Sequence, residues 1–287
     1  MGGLDNDAKN DYGTVGGGEQ NEANDKYNTI GGGKNNFTGS NSASRSYITI
    51  SGGEGNTASY HRATIGGGYD NRADDDSATV GGGYQNYASN DSATVGGGWL
   101  NEALDTVSTV PGGYGNKADG DYSFAAGQEA TASHDYSFVW GGDSGGSSDG
   151  TNTFNVHSNE IYLNGSVYHS SDRNKKEGFQ TVNTKDILNK LSEMPMTTWR
   201  FKTEDSSTVH IGPMAQDFKQ TFGFGATDKH IAATDASGVA LAAIQELNRT
   251  LISVIMKREE ALKKMELRLR IAEQRLAEKE SLSIDSR

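Results

Sequence analysis

Hydrophobic positions in the first half of the chain are sparse and evenly spaced. An aliphatic residue followed by a small, mostly glycine, turn recurs at Val15, Ile30, Ile50, Ile65, Val80, Val95 and Val110. The interval is fifteen residues, with one five-residue insertion between Ile30 and Ile50 inside FTGSNSASRS, and the rhythm continues through Ala125 and Trp140 to make nine rungs. A fixed period of this length marks a solenoid. Within a unit such as DSATVGGGYQNYASN, Ala78 and Val80 point one way and Thr79 the other, the alternation of a short strand with one buried face. A glycine turn and a second short segment follow, so each unit holds two strands and two turns.

Two further columns keep the same period. Asn recurs six positions after the aliphatic residue, from Asn21 to Asn116, and Ala recurs eight after it, from Ala23 to Ala118. Small residues filling a thin interior, with glycine supplying turn dihedrals and Asn tolerating the left-handed region, predict a parallel β-roll. Tyr69, Tyr84, Trp99 and Tyr114 lie four positions after the aliphatic residue. An aromatic stripe on so thin a roll predicts burial against a neighbouring chain, and trimerisation would supply the missing core.

The pattern changes after the Gly/Ser stretch DSGGSSDG. A strand-like run, TFNVHSNEIYLNGSVYH, reads as a stalk, and Ile187, Leu188, Leu191, Trp199, Phe201, Ile211 and Phe218 read as the core of a small α/β domain. From Gly238 the spacing becomes helical: Leu251, Met265 and Ala272 form one heptad column, and Ile255, Leu262, Leu269 and Leu276 the other, with Arg258 interrupting the first. The charged remainder suits a solvent-facing coiled coil, and three strands would match the trimer inferred upstream. The fold class is therefore mainly β in the N-terminal half, a trimeric parallel β-roll of 15-residue repeats, followed by an α+β domain ending in a long coiled-coil helix. The domains are residues 1–145, the roll; 146–170, stalk and linker; 171–240, the α+β domain; and 241–287, the helix.

Charge separates the halves. Residues 1–150 hold 20 Asp/Glu against 7 Lys/Arg and residues 151–287 hold 18 against 19, so the net charge of −12 comes from the roll. Such a surface repels nucleic acid and anionic membranes. No cysteine is present, which excludes disulfide staples and thiolate metal sites. The start, MGGLDNDAKN, lacks the basic and apolar regions of a signal peptide and reads as a later segment of something longer; no run reaches the roughly 18 apolar residues of a membrane span, so membrane insertion is not expected.

The roll offers little chemistry. Its glycine triplets lack the Lys-Ser/Thr ending of a phosphate loop, and neither the period nor a fixed Asp matches calcium-binding repeats. No recurrent carboxylate pair suggests a glycan-cleaving groove. A cell-surface glycan or receptor is a candidate partner for its Asp and Tyr residues, although a solvated acidic face is the preferred reading. In the second half, HSSDRNKKEGFQTV sets Lys176 five residues after Ser171. Serine and lysine can form a nucleophile and base without histidine if the lysine is neutral when it acts, and Lys175 is a cation that would favour that form. Such a spacing is common by chance. His169 and His210 read mainly as packing or hydrogen-bonding residues.

The units DSATVGGGYQNYASN and HRATIGGGYDNRADD resemble the head repeats of trimeric autotransporter adhesins, left-handed parallel β-rolls that assemble as threes, over residues 12–142. From Ser171 to about Asn248, the ordered motifs SDRNKK, ILNKLSEMPMTTWRFK, HIGPMAQDF and GVALAAIQELN resemble the intramolecular chaperone domain of phage endosialidase tailspikes, also found in bacterial tail-fibre-like proteins. The resemblance implies a domain that trimerises, guides folding of the fibre ahead of it, and is released by cleavage before the serine of its SD motif. Carried over, the scissile bond joins Ser170 and Ser171, with Ser171 as nucleophile, Lys176 as general base, and Asp172 and Lys175 as supporting residues. The only substrate is the chain itself, no cofactor or metal is called for, and the partner is a second and third copy. The mature fibre would stand on a virion tail or bacterial surface. The alternative is a structural or adhesive trimer whose trimerisation domain does not cleave.

Overall fold

The computed structural model describes residues 2–39, 47–142, 145–158, 160–202 and 204–284, with side chains to residue 276. It divides into two units, Met1–Tyr162 and Leu163–Arg287.

The first unit is the parallel roll. Its strands form a ten-stranded and an eleven-stranded sheet, each linking one rung to the next. The register repeats the sequence period, with Thr79 beside Thr64 and Thr94, and Val80 beside Ile65 and Val95. Thr29 pairs with Thr49 and Ile30 with Ile50, so the five-residue insertion leaves the register intact. Most of the insertion, residues 40–46, lies outside the described residues. Between the sheets runs a third line of single bridges from Leu4 through Glu19, Lys34, Glu54, Tyr69, Tyr84 and Trp99 to Tyr114.

Glycine is required where the backbone turns tightly over the rung below. At Gly83 φ is +94°, and a Cβ there would lie 2.2 Å from the Gly98 carbonyl oxygen. The buried Asn column does a different job from the one its composition suggested. Asn86 Nδ2 donates to the carbonyls of Gly82 and Gly98, both at 2.8 Å, while its Oδ1 accepts from Asn101 N at 3.0 Å and Asn101 Nδ2 at 3.2 Å. The column is a hydrogen-bond ladder that satisfies turn carbonyls in the interior. Left-handed φ falls instead on other residues, three before the aliphatic position at Tyr12, Tyr27, Ser77, Val107 and Tyr136, and five after it at Gln20, Asp70 and Leu100.

The end of the roll departs from the expected spacing. Ala125 pairs with Val139, and Ala126 with Trp140, so this rung is fourteen residues long. Val139 is fully buried and takes the interior place assigned to Trp140, which is exposed. The run assigned to the stalk also contributes a strand: Phe154–His157 pairs with Phe138–Gly141 and closes the sheet.

In the second unit, helix α1 (Thr184–Glu193) is capped by the Asn183 side chain, which accepts from Asp186 N at 3.1 Å. Helix α2 (Ala215–Phe222) ends at Gly223, whose φ of +74° is the left-handed C-cap conformation. Helix α3 runs from Ala233 to Ile284, starting five residues before Gly238. Ile187, Met194, Phe218, Phe222, Val239 and Ala243 form the core, with Leu188 and Leu191 packed against it. Trp199, Phe201 and Ile211 were expected there and lie elsewhere: they belong to or flank an antiparallel hairpin of Thr197–Trp199 and His210–Gly212, where Phe201 and Ile211 are exposed.

Beyond this core the apolar columns of α3 face outward, from Leu251 and Ile255 through Leu262, Met265 and Leu269 to Leu276. By length and composition alone α3 is long and apolar enough to cross a membrane, which differs from the expectation that no segment would be. The same stretch is tied to α1 through polar groups: Glu246 accepts from the Thr184 hydroxyl at 2.6 Å, and Arg249 donates to that hydroxyl at 3.2 Å.

Candidate functional site

The site is built by one turn of 3-10 helix, Arg173–Lys175. Asp172 starts it, its Oδ1 accepting from Asn174 N at 3.0 Å and Asn174 Nδ2 at 3.1 Å. Backbone bonds close it, from Lys175 N to Asp172 O and from Lys176 N to Arg173 O, each 3.2 Å. A side-chain carboxylate that takes up free N–H groups is the ordinary way such a turn begins. The turn reverses the chain direction, so a lysine five residues on returns to the serine: Lys176 Nζ donates to Ser171 Oγ at 2.7 Å. Asp172 therefore sets the turn and leaves the serine to the lysine.

Ser170, Ser171, Asp172, Lys175 and Lys176 are all exposed in the single chain. Among the described residues no hydrogen bond reaches the Ser170 carbonyl, the group that acyl transfer would need polarised. Ser171 and Lys176 are thus in contact with each other and open to solvent, with no donor at the Ser170 carbonyl among the described residues.

His210 and Glu204 form a separate cluster. His210 Nε2 lies 3.0 Å from both Glu204 oxygens and its ring stacks on Trp199 at 4.7 Å. The Glu204 carboxyl is held below its ordinary value of 4.5, first by the Phe201 backbone N–H at 2.9 Å and then by His210. This cluster holds the hairpin and is a hydrogen-bonding role for His210, as its strand context suggested; Glu204 was not singled out in the sequence because nothing there shows it six residues from its partner across a bend. His169 is exposed. Among the described residues no group of three His, Cys, Asp or Glu could hold a metal ion.

Residues 171–224 match the family model described as chaperone of endosialidase. The match opens on Ser171 and ends just after α2, short of the GVALAAIQELN motif in α3. Together with the parallel solenoid ahead of it, the match fits the architecture of a tail-fibre chaperone and supports a folding-chaperone role for this segment. No curated protein matches the chain.

Proposed function

We propose that the protein is a homotrimeric surface or tail-fibre segment whose chaperone domain directs trimer folding and then releases itself by cutting the Ser170–Ser171 bond. The carrying observation is the 2.7 Å contact between Lys176 Nζ and Ser171 Oγ at the first residues of the matched segment. The exposed heptad columns of α3 support the trimer, because three such helices bury in one another what a single chain leaves in water.

In the proposed reaction a neutral Lys176 takes the proton of Ser171 Oγ as that oxygen attacks the carbonyl carbon of Ser170. The tetrahedral intermediate collapses by breaking the bond to Ser171 N, which receives the proton, and leaves an ester between Ser170 and the Ser171 hydroxyl. Water then hydrolyses the ester to give a Ser170 carboxylate and a free Ser171 amine. In the direct route Lys176 takes the proton from water, and hydroxide attacks the same carbonyl. Both routes require burial to lower the lysine pKa and fixed donors at the Ser170 carbonyl. The single chain lacks both, so cleavage waits for assembly and reports a completed fold.

The test is intact mass on freshly folded wild type, Ser171→Ala and Lys176→Ala. Fragments beginning at Met1 and Ser171 from wild type alone support the dyad. A full-length wild-type trimer would favour the non-cleaving structural reading, which the open setting of the dyad in the single chain also suits.

A further inference from the structure

The outward-facing columns of the roll differ in one physical respect that decides which of them can meet around a three-fold axis. Such an axis brings the same residue of each copy together, so a charged residue on it faces two like charges. The bridge column carries Glu19, Lys34 and Glu54 before its aromatic stretch begins, and the outward column of the other sheet carries Glu22, Arg72, Glu102 and Lys117. The column just before the aliphatic position carries no charge: it is threonine in every rung from Thr14 to Thr109, then Phe124, Phe138 and Phe154. The two columns beside it, which begin at Gly16 and Gly17, are also uncharged throughout.

A second observation comes from the glycines of this strip. At Gly17, Gly32 and Gly52 a Cβ would meet its nearest neighbour at 3.4 to 3.8 Å, ordinary contact, and none of the three has a left-handed φ. At these three rungs the roll itself does not need glycine, whereas Gly67, Gly82, Gly97 and Gly112 of the same column, with φ of +143° to +155°, do. A bare backbone at such positions suits close approach from outside. The strip also ends in large apolar groups, Phe154 at 72% exposure and Trp140 at 47%, with Phe124, Phe138 and Phe154 stacked at 4.7 and 4.5 Å.

We infer that this threonine, glycine and phenylalanine face is where the three copies of the roll pack on one another, threonines meeting along the axis and the phenylalanines sealing its C-terminal end. The inference rests on the trimer proposed above and replaces the expectation that the Tyr69 to Tyr114 stripe is the contact. That stripe lies on the charged bridge column and stays on the outer surface.

The chain has no cysteine, so single cysteines report contacts directly. The full chain is prepared as Thr79→Cys and as Tyr84→Cys, treated with a short bis-maleimide, and run on a denaturing gel beside a native mass measurement of the wild type. The expected result is a wild-type trimer, covalent linkage between chains for Thr79→Cys, and none for Tyr84→Cys. A wild-type trimer that links through Tyr84→Cys and not Thr79→Cys overturns this face while leaving the trimer standing. A wild type with the mass of one chain overturns the trimer, and the face with it.

Discussion

Lys176 Nζ and Ser171 Oγ lie 2.7 Å apart at the two ends of a single 3-10 turn, a contact made by local backbone geometry alone. Because the turn depends only on Asp172 and its neighbours, the pair is in place before any other chain arrives. What the proposed assembly would have to add is environment. Lys176→Arg should keep a donor near Ser171 yet abolish cleavage, because a guanidinium does not deprotonate in a protein. Intact mass would show only full-length chain, and a cleaved Lys176→Arg would remove the lysine from the role of base.

The Asn ladder should dominate the stability of the roll. Asn86→Ala removes the donors to Gly82 and Gly98 and the acceptor for Asn101, all in the interior. Tyr84 N still donates to the Gly98 carbonyl, so the Gly82 carbonyl and Asn101 N are the groups left unsatisfied; at about 1 to 3 kcal/mol each, the loss should be roughly 2 to 6 kcal/mol in chemical denaturation. A change under about 0.5 kcal/mol, the range of a neutral surface substitution, would show that the ladder is incidental.

Val107 holds a φ of +56°, a conformation that a β-branched residue adopts at a cost, while its side chain is 41% exposed. Val107→Asn should therefore stabilise the roll by about 1 kcal/mol, measured by thermal unfolding. Destabilisation would mean that the isopropyl group packs against something outside the single chain.

Burial raises the Asp105 carboxyl above its ordinary 3.8, and the carboxylates of Asp121 and Asp119 raise it further. The folded state therefore favours the protonated form, and the ionised carboxylate weakens folding once pH rises through the folded pKa. The preceding rung carries Asn90 at the same place, so Asp105→Asn keeps the shape and an acceptor for Thr106 N. It should raise the melting temperature at pH 7 and leave it little changed at pH 3. Equal effects at both values would assign the change to packing.

Glu204 has the opposite sign. Its folded pKa lies below 4.5, so its contribution to the hairpin is present above that value and is lost as pH falls through the folded pKa. Glu204→Gln should remove this acid-side loss, read from hairpin backbone resonances between pH 5 and pH 3. An unchanged acid transition would place the loss on another carboxylate, with Asp205, also lowered by Ser207, the next to test.

Periodicity made most of the roll legible, because each interior side chain is repeated where the next rung needs it. The errors fall where one rung differs. DYSF recurs at residues 121–124 and 135–138, a spacing of fourteen that marks Val139 as the interior residue, and reading on by fifteen gave Trp140 instead. The Asn column looked like turn chemistry because composition records residue type and not which groups a side chain satisfies. In the second unit, helical spacing found Ile187 and Phe218. The hairpin aromatics misled because strand-like hydrophobics normally fill a core, whereas Trp199 stacks on His210 and Phe201 meets it edge-on. The Ser171 and Lys176 pair was legible only through its neighbouring motifs; five-residue spacing alone does not reveal the turn that closes it.

The central claim is tested most directly by the intact mass of the wild-type protein after it has folded. The account predicts two species, residues 1–170 and residues 171–287, the second beginning with the free amine of Ser171. A single species of 30.6 kDa in an assembled trimer would contradict it.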